Sequence, residues 1–191
     1  MKKIFLMLLL VVNISAAFAQ YRDVTLPKRP SNDGYKDYDR SGSTPFWFSI
    51  ETEGASSIME KSKNMQFASL QLTGGYRFNE FLRVGVGFGG RMYVNNYEVR
   101  DGDRQFGIPV YANARGNFVS AYDRQDVPYW SVNLGGVTGE GLYFNPTIGY
   151  SFGGLRNTFL IGLSYTLSNF KDYAKDNRTY SYFGVKLGYE F

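Results

Sequence analysis

The chain has 191 residues, a formal net charge of +4, no cysteine and no histidine. This length suits one domain, and without cysteine the chain has neither a disulfide nor a cysteine-linked lipid anchor. The small net charge argues against nucleic acid as a partner, and the lack of histidine removes the commonest general base of enzymes.

Residues 1–19 have the pattern of a secretory signal peptide. A basic start precedes an apolar run over residues 4–12, and residues 17–19 (Ala-Phe-Ala) form a small-x-small cleavage site. The apolar run is too short to cross a membrane as a helix. We therefore expect export and cleavage after Ala19.

Residues 20–44 are polar, contain two prolines and two glycines, and lack apolar periodicity. This composition predicts a linker that is flexible or partly extended. Two functional alternatives remain open for this segment, a periplasmic interaction arm and a plug that enters the domain that follows.

Residues 45–191 contain eight segments in which apolar and polar side chains alternate. In the third, for example, the apolar residues from Leu82 to Phe88 alternate with Arg83, Gly85 and Gly87. Period-2 alternation predicts a strand with one apolar and one polar face. The predicted strands span about residues 45–54, 65–78, 81–94, 106–118, 129–137, 142–152, 158–168 and 178–191.

The connections between these strands differ in length and chemistry. Asn79-Glu80 is a two-residue turn signal, and residues 138–141 predict a short loop. Pro109 and Pro146 would each remove a ladder hydrogen bond, so we expect local irregularity there. Long polar connections are predicted over residues 55–64, 95–105, 119–128 and 169–177.

The last strand carries a family resemblance. Phe183, Val185, Leu187, Tyr189 and Phe191 occupy alternate positions, and the strand ends on an aromatic residue. This pattern resembles the C-terminal strand of Gram-negative outer-membrane β-barrels, and residues 45–191 resemble the small OmpA/OmpX-type barrels. The resemblance implies that these five residues are the signal read by the barrel-assembly machinery. It also implies an all-β fold, an eight-stranded antiparallel transmembrane β-barrel in the outer membrane.

We assign the polar face of the strands to the barrel interior. It mixes long charged side chains with many glycines, which a narrow eight-stranded lumen needs in order to be filled. The apolar face is assigned to lipid, and its aromatic residues near the strand ends are predicted to form interfacial girdles. The lipid-facing residues include Leu70, Val86, Leu134, Ile148, Leu163 and Val185. The periplasmic girdle is predicted to contain Phe46, Tyr76, Phe78, Phe118, Trp130, Phe152, Phe159, Tyr189 and Phe191. The outer girdle is predicted to contain Met92, Phe106, Phe144 and Tyr165.

Unpaired charges in a narrow lumen would be costly, so the charged residues of the polar face are predicted to form a salt-bridge network. Glu51 and Glu53 could also suggest acid–base chemistry or a cation site, but pairing with interior arginines is favoured. Asp101-Gly102-Asp103 lacks the later ligands of a calcium loop. We predict no catalytic, cofactor-binding or metal-binding residues. The predicted lumen charge network comprises Glu51, Glu53, Arg77, Arg83, Arg91, Arg115, Lys186 and Glu190.

The sequence thus predicts a non-enzymatic barrel with a structural or interaction role, displaying surface loops and without an open pore. The alternative is a small channel or binding barrel for hydrophobic or anionic solutes. The expected partners are outer-membrane lipid and lipopolysaccharide, the assembly machinery during biogenesis, and an envelope protein that the sequence does not name. No cofactor and no nucleic acid are expected.

Overall fold

The computed structural model describes residues 45–57, 65–95, 105–121, 126–153, 157–171 and 177–191. These residues form eight strands, each within about three residues of its predicted bounds, so the predicted all-β fold is confirmed. The strands are β1 (Phe46–Ser57), β2 (Gln66–Arg77), β3 (Arg83–Asn95), β4 (Phe106–Gly107 and Pro109–Asn117), β5 (Asp126–Val137), β6 (Gly141–Phe152), β7 (Thr158–Lys171) and β8 (Asn177–Glu190). The predicted signal peptide (1–19), the predicted linker (20–44) and residues 101–103 lie outside the described residues.

The strands form one closed antiparallel sheet. Each strand pairs with its neighbours in sequence, and β8 pairs with β1 from Glu190 opposite Ser49 to Tyr182 opposite Ser57. The backbone N–H of Phe191 extends this seam by donating to the carbonyl of Phe48 at 2.8 Å. Closure leaves no unpaired edge among the described strands, and a barrel in a lipid bilayer requires this because no water is present to satisfy the backbone. In the described residues, no helix is long and apolar enough to span a membrane.

The sheet closes with a stagger of ten residues. When the register is followed once around the barrel from Phe46 and continued across the gap at Pro146, it leads through Val84, Val132 and Phe183 to Ser56, ten residues further along β1. Closed barrels of this kind have strands tilted by about 35–45°. The stagger brings residues that are far apart in sequence to the same level of the lumen.

The two faces of the sheet have opposite chemistry. The residues assigned to lipid are 48–72% exposed, whereas the inward positions are buried and mostly polar. The predicted assignment of faces is therefore confirmed for Leu70, Val86, Leu134, Ile148, Leu163 and Val185.

The two prolines interrupt the hydrogen-bond ladder, as predicted. β4 is broken at Ile108, just before Pro109; there the Ile108 N–H donates to Thr138 Oγ1 at 2.8 Å and its carbonyl accepts from the Thr138 N–H at 3.1 Å. In β6, the pairing with β7 lapses at Asn145 and Pro146. The register is the same on both sides of each gap, so these are interruptions of the ladder without an inserted residue.

The turn at Asn79-Glu80 is longer than the predicted two residues. The connection between β2 and β3 covers residues 78–82. The side-chain oxygen of Asn79 accepts the backbone N–H groups of Phe81 at 2.9 Å and Leu82 at 2.7 Å. This side chain builds a wider turn, because it supplies the acceptor that a tight hairpin would take from the backbone.

Trp130 departs from the predicted exposed girdle. It lies on the outward face opposite Ile148, yet it is only 5% exposed. Its indole lies against Gly116 on β4, where an added Cβ would come within 3.2 Å of Trp130 Nε1 and would overlap the Phe81 carbonyl. The prediction was wrong because alternation assigns a face but does not reveal the glycine on the neighbouring strand against which the indole packs.

Candidate functional site

The barrel interior contains all eight charged residues of the predicted lumen network. Seven of them are buried, and the side chain of Arg77 is 9% exposed. Glu140, in the turn between β5 and β6, joins them from the other end of the barrel. Among the described side chains, the interior therefore holds five cations and four carboxylates.

The first ionic group lies at the end of the barrel where β1 begins and β8 ends, here called the terminus end. Glu190 Oε1 accepts from Arg77 Nη2 at 2.7 Å and from Arg83 Nη1, while its Oε2 accepts from Arg115 Nη1 at 3.3 Å. Arg115 Nη2 also donates to Glu51. These five residues are the terminus-end cluster, in which one carboxylate joins guanidinium groups from three adjacent strands.

Glu53 occupies the middle of the lumen. Its Oε1 accepts from Ser164 at 2.6 Å, Asn145 at 2.9 Å and Thr166 at 3.2 Å. Its Oε2 accepts from the Gln71 amide at 3.0 Å. Neutral donors from three other strands thus replace water around this carboxylate, as a buried charge requires.

Asparagines connect the middle of the lumen to the terminus-end cluster. Lys186 Nζ donates to Asn145 Oδ1 at 2.6 Å. Asn113 Oδ1 accepts from Arg115 Nε at 3.2 Å, and Asn113 Nδ2 donates to Asn133 Oδ1 at 2.6 Å. The amide side chains act in both directions, so they link cations and anions that do not touch.

The second ionic group lies at the opposite end, here called the loop end. Arg91 Nη1 lies 3.2 Å from Glu140 Oε2, and the Tyr93 hydroxyl donates to Glu140 Oε1 at 2.6 Å. The Arg91 guanidinium carbon lies 4.1 Å from the centroid of the Phe67 ring and 4.8 Å from that of Tyr143. Both charged side chains of this pair are fully buried. The aromatic faces add cation–π attraction to the ion pair.

An aromatic group closes the lumen at the loop end. Phe67 meets Tyr182 edge to face at 5.1 Å between centroids and meets Tyr93 at 5.8 Å. No member of the group is more than 7% exposed. This group, the loop-end plug, consists of Ala55, Met65, Phe67, Tyr93, Tyr180 and Tyr182.

Glycines make room for the large side chains that cross the lumen. A Cβ added at Gly87 would lie 2.5 Å from the Tyr111 ring, and one at Gly188 would lie 2.7 Å from Glu51 Cγ. Tyr111 in turn packs edge to face on Tyr143, with 6.0 Å between ring centroids. Small and large residues therefore fit together, and buried side chains occupy the lumen at its terminus end, in its middle and at its loop end.

Sequence reasoning missed Glu140 and Gln71 as interior residues of consequence. Glu140 lies in a turn, where alternation assigns no face. One signal could have found it, because the predicted interior contained more cations than carboxylates and needed another anion. Gln71 lay on a predicted inward face, but alternation does not say which inward residues meet.

The five residues of the predicted assembly signal lie on the outer surface beside the seam between β8 and β1. They are 38–53% exposed, and the Tyr189 and Phe191 rings pack edge to face at 4.8 Å. Their role in assembly stays a prediction. Within the described part of the chain, no three Asp, Glu, His or Cys side chains lie close enough together to hold a metal ion.

Comparison with solved structures identifies the fold. Neisserial surface protein A (NspA) superposes with a TM-score of 0.53 at 16% sequence identity, over 77% of this chain and 96% of that chain. Two further matches are the N-terminal β-barrel domain of Pseudomonas aeruginosa OprF (TM-score 0.45, 14% identity, 76% of this chain and 97% of that chain) and a de novo designed transmembrane β-barrel (TM-score 0.41, 11% identity, 78% and 98%). No family model and no curated protein matches the sequence. The chain therefore has the fold of the small OmpA/OmpX-type transmembrane barrels, as its sequence predicted.

Proposed function

We propose that this protein is an outer-membrane β-barrel with a structural or interaction role, which displays its loops at the cell surface and does not conduct solutes. The outward band of exposed apolar side chains supports residence in a bilayer. The fold it shares with a neisserial surface protein supports placement in the outer membrane. The signal peptide pattern of residues 1–19 supports export.

The observation that carries the proposal is the filled lumen. An eight-stranded barrel is only about wide enough for its own side chains. Here Trp47, Tyr143 and Tyr182 are fully buried inside the lumen. The guanidinium carbon of Arg115 lies 4.6 Å from the centroid of the Trp47 ring. The carboxylates that pair with the arginines allow the lumen to close without leaving cations unpaired.

The surroundings proposed for the protein follow from its two surfaces. The outward face of the strands would contact outer-membrane lipid and lipopolysaccharide, and the terminus end would face the periplasm. The exposed residues Phe183, Val185, Leu187, Tyr189 and Phe191 would be read by the assembly machinery. An envelope protein remains the proposed partner of the displayed loops, and we propose no catalytic role because the sequence has no histidine.

Single-channel recording tests the closed lumen. Folded protein, verified by its heat-modifiable migration in gels, is reconstituted in planar bilayers and should show no stable conductance steps. The double variant Phe67→Ala/Tyr182→Ala removes two rings of the loop-end plug and serves as the control for detecting an opened lumen. Reproducible anion-selective steps in the unmodified protein, altered by Arg83→Glu or Arg115→Glu, would contradict the proposal and favour a small channel.

A further inference from the structure

The charges of the lumen are unevenly distributed along the barrel. The terminus-end cluster contains three cations (Arg77, Arg83 and Arg115) and two carboxylates (Glu51 and Glu190). In the middle of the lumen Lys186 lies opposite Glu53 on the neighbouring strand, and its Nζ is 3.8 Å from Glu51 Oε2. At the loop end Arg91 pairs with Glu140. Among the described side chains, the surplus positive charge of the lumen therefore lies in the terminus-end cluster.

Water reaches only one of the two ionic groups. The side chains of Arg77 and Arg83 are 9% and 8% exposed, whereas those of Arg91 and Glu140 are 0% exposed. Arg77 is the last residue of β2 and Arg83 is the first of β3, so both lie at the mouth of the terminus end. A solute could therefore approach these two guanidinium groups without passing through the barrel.

Arg83 retains unused hydrogen-bonding capacity at this mouth. Its Nη1 donates to Glu190 and its Nη2 donates to Asn117 Oδ1 at 2.9 Å. Its Nε is buried and has no acceptor among the described residues. A nearby acidic residue, Glu80, accepts the backbone N–H of Ala121 at 2.9 Å. A buried donor on a charged group without an acceptor is unfavourable, so the terminus-end cluster does not fully satisfy Arg83.

We propose that the terminus-end cluster binds a small oxyanion, of which inorganic phosphate is the simplest, next to Arg77 and Arg83. Guanidinium groups present planar pairs of donors that match phosphate and carboxylate oxygens. Glu190 already occupies part of this donor set, so it competes with the added anion. Because the loop-end plug closes the other end, the site is blind: it binds the anion without passing it across the membrane.

Calorimetric titration of the folded, detergent-solubilised protein with sodium phosphate tests the site. Saturable binding is expected, and Arg83→Gln should weaken it about tenfold, the usual effect of one charge-assisted hydrogen bond. Arg91→Gln, which changes the buried arginine at the loop end, is the matched control and should leave phosphate affinity within about twofold. If Arg83→Gln does not fold, Arg77→Gln replaces it, with the same expectation.

The opposite change at Glu190 sharpens the test. Glu190→Gln removes the competing carboxylate charge and should strengthen phosphate binding about tenfold. Phosphate should then raise the urea midpoint of this variant more than that of the unmodified protein, because a ligand stabilises the state that binds it. Parallel titrations with acetate and chloride show whether the site prefers phosphate, binds carboxylates as well, or responds only to ionic strength. Absence of saturable phosphate binding, or equal affinity in Arg83→Gln and the unmodified protein, would overturn the proposal.

Discussion

The two ends of the barrel fill the lumen with different kinds of side chain. At the terminus end arginines and carboxylates lie beside the buried Trp47, and aromatic rings also pack on the outside, where Phe46 meets Tyr76 with 5.9 Å between ring centroids. At the loop end the aromatic rings of the loop-end plug fill the lumen. The outer surface there is mixed, with Val94 53%, Leu142 60% and Phe106 55% exposed.

Aromatic residues perform two separate tasks in this barrel. Outside, an amphipathic ring anchors the barrel at the boundary between lipid and water. Inside, a ring fills volume and stabilises a buried cation through its face. At the terminus end one aromatic side chain, Trp47, lies beside the guanidinium groups that donate to Glu190. This arrangement of charged side chains, here called the ionic seal, is partly exposed to water at its outer edge.

The largest effect is expected when the ionic seal is broken. Glu190→Ala removes the shared acceptor of Arg77, Arg83 and Arg115 and leaves buried cations unpaired, so it should lower the free energy of unfolding by about 3–5 kcal/mol. Urea titration in phospholipid vesicles, followed by tryptophan fluorescence, measures this change. If the free energy of unfolding falls by less than about 1 kcal/mol, water already solvates the cluster at the terminus end, and that end of the lumen is not sealed.

The outer face offers a test with the same substitution at two depths. Val86 lies in the middle of β3 and Val94 near its loop end, and both face outward, 72% and 53% exposed. Val86→Arg should cost about 2–4 kcal/mol because it places a charge near the bilayer midplane, whereas Val94→Arg should cost about 0–1 kcal/mol. Equal unfolding midpoints for the two variants would contradict the proposed depth of the loop end.

Packing of the lumen between the two seals can be tested with glycines. Gly87→Ala would press a methyl group against Tyr111 and should cost about 1–3 kcal/mol, the usual range for overpacking. Gly54 is the matched control, because an added Cβ there meets nothing within 4 Å. Gly54→Ala should change stability by less than about 0.5 kcal/mol. If both variants unfold at the same urea concentration, the lumen has spare room around Tyr111.

The smallest effect compares one aromatic residue from each end. Phe67→Leu removes edge-to-face contacts and a cation–π contact inside the plug, and should cost about 1–2 kcal/mol. Phe46→Leu removes a single edge-to-face contact on the outside and should cost about 0.5 kcal/mol. Urea midpoints of the two variants, measured side by side, give the difference. A larger loss of stability in Phe46→Leu than in Phe67→Leu would contradict the view that rings inside the lumen contribute more to stability than rings outside it.

Much of this architecture could be predicted from the sequence because alternation reports the two faces of a strand directly. The eight strands and the interior position of the charged residues required only that pattern. The contacts inside the lumen depend on the stagger of the closed sheet. Arg115 reaches Glu51 across 64 positions of sequence, and no local pattern records that distance. Glu140 was missed for a related reason, since its orientation is set by Arg91 on a strand far from its own turn.

The interruptions at the two prolines lie on either side of three neighbouring strands. β4, β5 and β6 pair with one another without a gap from Pro109 to Asn117 and from Gly141 to Phe152. The gap at Ile108 and Pro109 faces β3, and the gap at Asn145 and Pro146 faces β7. We expect local opening of the barrel wall to begin at these two gaps, because fewer backbone hydrogen bonds join the neighbouring strands there.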